Sequence, residues 1–117
     1  MQLHYLEIVT PSVDATCENY AAVQGVTFSD PNPFLGNART ASMKDGSMVG
    51  VRAPMHDSEE PIVRPYFLVD DIAAAVAAAD KAGADVALPP MELPNHGQCA
   101  IVMQDGIQTG FWQLPTE

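Results

Sequence analysis

Six side chains carry the chemistry this sequence offers: Tyr5, Glu7, Arg52, Arg64, Tyr66 and Trp112. Glu7 is the candidate base, a carboxylate able to accept a proton or a hydrogen bond, and Arg64 is a forked donor suited to an anionic or carbonyl group. Tyr66 and Trp112 can stack on a flat or apolar ligand, although core aromatics would read the same way. Tyr5 and Arg52 complete the expected ligand-binding set. Glu7 and Arg64 have a second reading, a salt bridge closing two halves of the chain. Other combinations are weaker. His4 and Glu7 lie three apart on a predicted strand, so they point to opposite faces and cannot share an ion. His56, Asp57, Glu59 and Glu60 fall on a flexible acidic stretch and read as a solvated linker. His96 reads as an exposed loop histidine, and the methionines as packing filler.

The elements that must position these residues are written twice. In the second half, Tyr66 to Val69 is aromatic and β-branched and reads as a strand. Asp70 or Asp71 then caps an alanine-rich helix with Ile72, Val76 and Ala79 on its inner stripe, and Gly83 stops it. Further strands follow at Ala84 to Leu88, Gln98 to Met103 and Gln108 to Leu114, with a stiff proline-rich loop from Pro89 to Gly97. The first half runs in the same order. Gln2 to Val9 is a strand with His4, Leu6 and Ile8 on one face and Tyr5, Glu7 and Val9 on the other. Ser12 caps a helix whose inner stripe is Val13, Cys17, Tyr20 and Val23, and Gly25 ends it. Val26 to Phe28 is a candidate short strand, Ser29 to Asn37 a loop, and Ala38 to Met43 with Met48 to Arg52 a hairpin about Lys44-Asp45-Gly46-Ser47.

Ser12 matches Asp71 at an offset of 71 − 12 = 59, and Val49-Gly50-Val51-Arg52 matches Thr109-Gly110-Phe111-Trp112. The expected fold is therefore α+β: two tandem β-α-β-β-β modules, about 1–53 and 62–117, joined by an acidic linker at 54–61. A helix covering one face of each sheet leaves the other faces free to curl around a shared cleft.

Composition narrows the function classes. A chain of 117 residues with 47% hydrophobic and 17% charged residues is expected to form a single globular domain. The net charge of −10 repels nucleic-acid phosphates and anionic membranes, so neither is an expected partner. No apolar run reaches the roughly 20 residues of a membrane span. The N-terminus lacks a basic-then-apolar signal, so the expected location is cytoplasmic. Cys17 and Cys99 have no partner at metal-ligand spacing and read as buried free thiols.

Arg64-Pro65-Tyr66-Phe67-Leu68-Val69-Asp70-Asp71, Leu88-Pro89-Pro90-Met91-Glu92-Leu93-Pro94 and Gly110-Phe111-Trp112-Gln113 resemble the vicinal oxygen chelate superfamily over essentially the whole chain, most closely its glyoxalase-like or hydroxylase-like branch. That superfamily includes glyoxalase I, bleomycin- and fosfomycin-resistance proteins and extradiol dioxygenases. The resemblance implies a small-molecule ligand, a homodimer, and four metal ligands on first and last strands. The matching positions here are Tyr5, Arg64, Gly50 and Gly110. Arginine offers no lone pair and glycine no side chain, so no metal and no cofactor are expected. The expected function is a glyoxalase-like ligand-binding protein with a metal-free cleft and weak lyase or isomerase chemistry; the alternatives are a metal-dependent lyase or dioxygenase of the same superfamily, or an antibiotic-sequestering resistance protein.

Overall fold

The computed structural model describes residues 1–116. Its seven strands and two helices divide into two compact units, one spanning Tyr5–Val63 and the other the chain from Arg64 onward together with Met1–His4. The α+β class is as expected, and the strands pair in both parallel and antiparallel fashion. No helix among the described residues is long and apolar enough to cross a membrane.

In the first unit, β3 (Met48–Arg52) lies between β1 (Gln2–Val9), which runs parallel to it, and β2 (Arg39–Ser42), which runs antiparallel. The register sets Glu7 opposite Gly50 and Val9 opposite Arg52. Strand alternation then sorts the side chains by face. Ile8, Val49 and Val51 join Cys17 of α1 (Val13–Gln24) in the core, with Leu6, Val13 and Tyr20 packed against them. Tyr5, Glu7, Gly50 and Arg52 fall on the opposite face. The helix ends as expected at Gly25, whose φ of 68° is left-handed and whose N–H bonds the Ala21 carbonyl. Its start differs, because the Ser12 side chain accepts no capping bond. Asp14 in the first turn bonds Arg39 of β2 at 2.9 Å, but it is 86% exposed, so the pair contributes little.

Two expectations for this unit are corrected. Val23 is 71% exposed and leaves the helix stripe, which narrows to Val13, Cys17 and Tyr20. Val26 to Phe28 forms no strand. Val26 and Phe28 pack on the core from an irregular segment, and Ser29 is tied to Thr40 by a backbone bond. Apolar burial without a ladder partner explains why those residues resemble a strand in sequence.

The second unit orders its strands β4-β7-β6-β5, with β4 at Ile62–Leu68, β5 at Asp85–Leu93, β6 at Gly97–Gln104 and β7 at Ile107–Gln113. β4 runs parallel to β7, and the other pairs are antiparallel. α2 (Ile72–Lys81) is capped by the Asp71 carboxylate, which accepts from the Ala74 N–H at 3.0 Å. Gln113 adds a second anchor, its side-chain oxygen accepting from the Ile72 N–H. Ile72 is buried, with Val76 and Ala79 half-buried behind it. The proline-rich loop is corrected: Pro89 to Leu93 continue β5 through two register irregularities. β5 is the outer strand of this unit, where a missing N–H leaves no ladder bond unmade. Cys17 and Cys99 are both buried, and neither is in a disulfide.

Candidate functional site

The helix-free face of the first unit holds a buried ion cluster. Arg52, at the end of β3, is 5% exposed and Glu7, in the middle of β1, is 8% exposed. The Arg52 Nε donates to Glu7 at 2.8 Å. Its two terminal nitrogens reach the other way and donate to both oxygens of Glu59, at 2.8 and 2.7 Å. One guanidinium thus serves an inner carboxylate on a strand and an outer carboxylate on the connecting segment. A bidentate fork is the strongest geometry such a pair adopts.

Electrostatics within the cluster follow from this geometry. The hydrogen bonds from Arg52 hold the Glu59 carboxyl down at about 2. The same bonds, from Glu59 first, push Arg52 above its already high range despite its burial. Both stay charged at neutral pH. Tyr5 sits beside them with its phenol pushed up, first by burial and then by the Glu7 charge. It remains a neutral hydroxyl and can donate a hydrogen bond but not act as a phenolate.

Two glycines make room for this arrangement. A Cβ at Gly50 would collide with the Tyr5 hydroxyl and ring, so glycine is what lets the phenol lie across β3. Gly36, at φ +67°, would place a Cβ 2.8 Å from the Met55 methyl and 3.1 Å from Arg52 Cδ. The loop before β2 therefore closes tightly on the arginine stem.

The helix-free face of the second unit is built from different groups. A Cβ at Gly110 would collide with the Tyr66 ring, as one at Gly50 would with Tyr5, although the residue that register sets opposite Gly50 is Glu7 and opposite Gly110 is Tyr66. Tyr66 meets Trp112 edge to face with centroids 5.9 Å apart, and the Trp112 indole N–H donates to the His96 carbonyl at 2.9 Å. His4 packs against the same indole at 5.0 Å, and burial lowers its imidazole pKa. Within this unit, the Arg64 Nε donates to the Gln108 side-chain oxygen at 2.8 Å.

The structure thus brings Tyr5, Glu7 and Arg52 together in one unit, and Arg64, Tyr66 and Trp112 onto one face of the other. Sequence reasoning misses Glu59, which falls in the stretch that reads as a solvated linker. The signal available was indirect: a guanidinium pointing inward from β3 has five N–H donors, more than one carboxylate can take, and the acidic stretch follows it immediately. The contact of His4 with Trp112 is missed as well, because strand alternation assigns His4 a face but not a partner so distant in sequence.

The divalent ion implied by the family resemblance does not fit these residues. Gly50 and Gly110 bring no donor atom, and the rings of Tyr5 and Tyr66 fill the space a ligating side chain would need. The Tyr5 phenol is pushed away from ionisation. Arg52 occupies its share of the first unit as a fixed cation.

Neither a family model nor the sequence of a curated protein matches this chain. Solved structures do. Methylmalonyl-CoA epimerase from Mycobacterium tuberculosis superposes with a TM-score of 0.75 at 13% identity, covering 98% of this chain and 89% of its own. A hypothetical protein from Bacillus halodurans reaches 0.77 at 12% identity over 99% and 96% of the two chains. Streptomyces coelicolor methylmalonyl-CoA epimerase in complex with 2-nitronate-propionyl-CoA gives 0.70 at 18% identity over 99% of each. The chain shares the fold of the vicinal oxygen chelate superfamily, to which the epimerases belong.

Proposed function

We propose that this protein binds a small organic molecule bearing a carboxylate or an activated carbonyl, without a metal, and that the Glu7–Arg52 pair of the first unit receives that group. One observation carries the reading: a guanidinium and a carboxylate are held buried on the face of β1 and β3 opposite the helix. A fully apolar pair would stabilise that face at least as well. Retaining ions there makes sense if a charged or polar ligand uses them. Arg52 supplies forked donors, Tyr5 a neutral O–H, and Glu7 an acceptor for a proton. Arg64, Tyr66 and Trp112 are proposed as further ligand contacts, donating to polar atoms and packing on apolar ones.

A second reading, weak isomerase- or lyase-type proton transfer with Glu7 as base, is favoured by the fold shared with epimerases whose solved complexes hold acyl-CoA compounds. Neither reading routes a step through a metal.

Calorimetric titration with succinate, methylmalonate and carboxylated acyl-CoA thioesters tests the proposal. Saturable binding at one site per chain is expected, unchanged by prior dialysis against a chelator. No heat from any of them would overturn the binding reading, and about one Zn, Ni, Mn or Fe per purified chain would overturn its metal-free form. For the second reading, deuterium exchange at the carbon alpha to the carbonyl should be lost in Glu7→Gln. The protein is further proposed to work in the cytoplasm as a homodimer, since β5 ends its sheet with Val86 and Met91 exposed. Light scattering that gave 12.5 kDa at every concentration would contradict the dimer.

A further inference from the structure

Arg52 faces two carboxylates with very different attachments. Glu7 is fixed in the ladder of β1 against β3. Glu59 belongs to the segment 53–61, which has neither helix nor strand, and whose residues Met55 to Ser58 are exposed. That segment is folded onto its unit chiefly around the Glu59 carboxylate. Its two oxygens take the terminal nitrogens of Arg52, and one of them also accepts from the Met55 N–H at 2.7 Å. The segment's other hydrogen bonds are local, Arg52 to the Ala53 carbonyl, Glu59 N–H to the His56 carbonyl and Ser58 to His56, and the Met55 methyl lies beside Gly36. The Glu59 side chain is also the more accessible of the two, 18% exposed against 11% for Glu7.

We infer that Glu59 is a built-in stand-in for the ligand's carboxylate, a latch that occupies the outer edge of Arg52 until an incoming carboxylate takes the same fork and frees the segment 53–61. The inference rests on the proposed binding function and names the ligand class and its regulation. Three features support it. The fork geometry that Glu59 uses is the one any free carboxylate would use, so the two compete for the same donors. The terminal N–H groups of the buried Arg52 need acceptors at that edge, so exchange of one carboxylate for another is far easier than simple opening. Glu59 is held ionised far below neutral pH, so protonation does not release the latch under physiological conditions and a competing anion must. The exchange makes and breaks no covalent bond.

The consequence runs against ordinary intuition for a residue touching a binding site: removing the Glu59 charge should improve binding. Succinate is the probe, with its neutral diamide as control at matched ionic strength. Glu59→Gln and Glu59→Ala are each expected to bind succinate at least fivefold more tightly than the wild type, and the diamide no better. In the wild type, saturating succinate should speed cleavage of the segment by a glutamate-specific protease several-fold, a readout that needs no variant. Equal or weaker succinate binding by both variants, with the wild type binding normally, overturns the latch and leaves the binding function standing. Cleavage that is slowed or unchanged by bound succinate overturns it too. Absence of binding in wild type and variants alike overturns both together.

Discussion

The two halves of this protein solve the same architectural problem with opposite chemistry. In each, a first strand runs parallel to a last strand, a glycine on that last strand admits an aromatic ring, and a helix covers the far face. Position by position the contents differ. Glu7 corresponds to Tyr66 (66 − 7 = 59), Tyr5 to Arg64 (64 − 5 = 59) and Arg52 to Trp112 (112 − 52 = 60). The first half concentrates charge, with one cation between two carboxylates. The second concentrates π-surface and neutral hydrogen bonds, with Tyr66, Trp112 and His4 in contact and Arg64 bonded to Gln108. A repeated backbone thus fixes where side chains stand while leaving their chemistry free to diverge.

The sharpest way to break this contrast is to remove the central cation. Arg52→Met should lower stability by about 3–5 kcal/mol, because Glu7 and Glu59 lose their shared partner while Glu7 stays buried. Adding Glu7→Gln and Glu59→Gln should recover much of that loss in denaturant melts. A loss under 1 kcal/mol would mean that the cluster is more hydrated than its burial indicates.

Next comes the feature the halves have in common. Gly50→Ala and Gly110→Ala each force a methyl group into an aromatic ring, and overpacking of this kind costs about 1–3 kcal/mol. Both should fall in that range by chemical denaturation. If only one does, the rings are not equivalent fillers.

The acid limb separates the halves more gently. Glu59 is depressed in the folded protein to about 2 from an ordinary value of 4.5, so the stability it contributes is complete above the unfolded value and fades as pH falls toward 2. Wild type should exceed Glu59→Gln by about 1–2 kcal/mol at pH 7 and match it near pH 2. A gap that persists at pH 2 would show that the residue acts through packing instead of charge. The smallest effect belongs to the aromatic half. Trp112→Phe removes the indole bond to the His96 carbonyl while keeping an aromatic ring, and should cost about 1 kcal/mol.

How much of this was written in the sequence depends on the range of the interaction. Alternation in β1 placed Tyr5 and Glu7 on one face because strand periodicity is local. The Asp71 cap and the Gly25 and Gly83 stops are equally local, and all appear in the structure. Ser12 was misjudged because a good capping residue type still needs the right backbone, and its φ and ψ of −108° and 56° aim the side chain elsewhere. Pro89 and Pro90 read as a loop because whether a strand is an outer one depends on neighbours distant in sequence. Glu59 was invisible for a similar reason. Among three carboxylates on an acidic stretch, only the folded position of Arg52 singles it out.

The central claim, that the charged half is the one that receives a carboxylate, can be read directly from side-chain N–H signals in the unmodified protein. In a 15N NMR titration with succinate, Arg52 Nε and the backbone amides of Met55 and Glu59 should shift in saturable fashion, while the neutral diamide leaves them in place. Arg52 signals that stay still while those of Trp112 or Arg64 move would contradict the account and put the anion site in the other half.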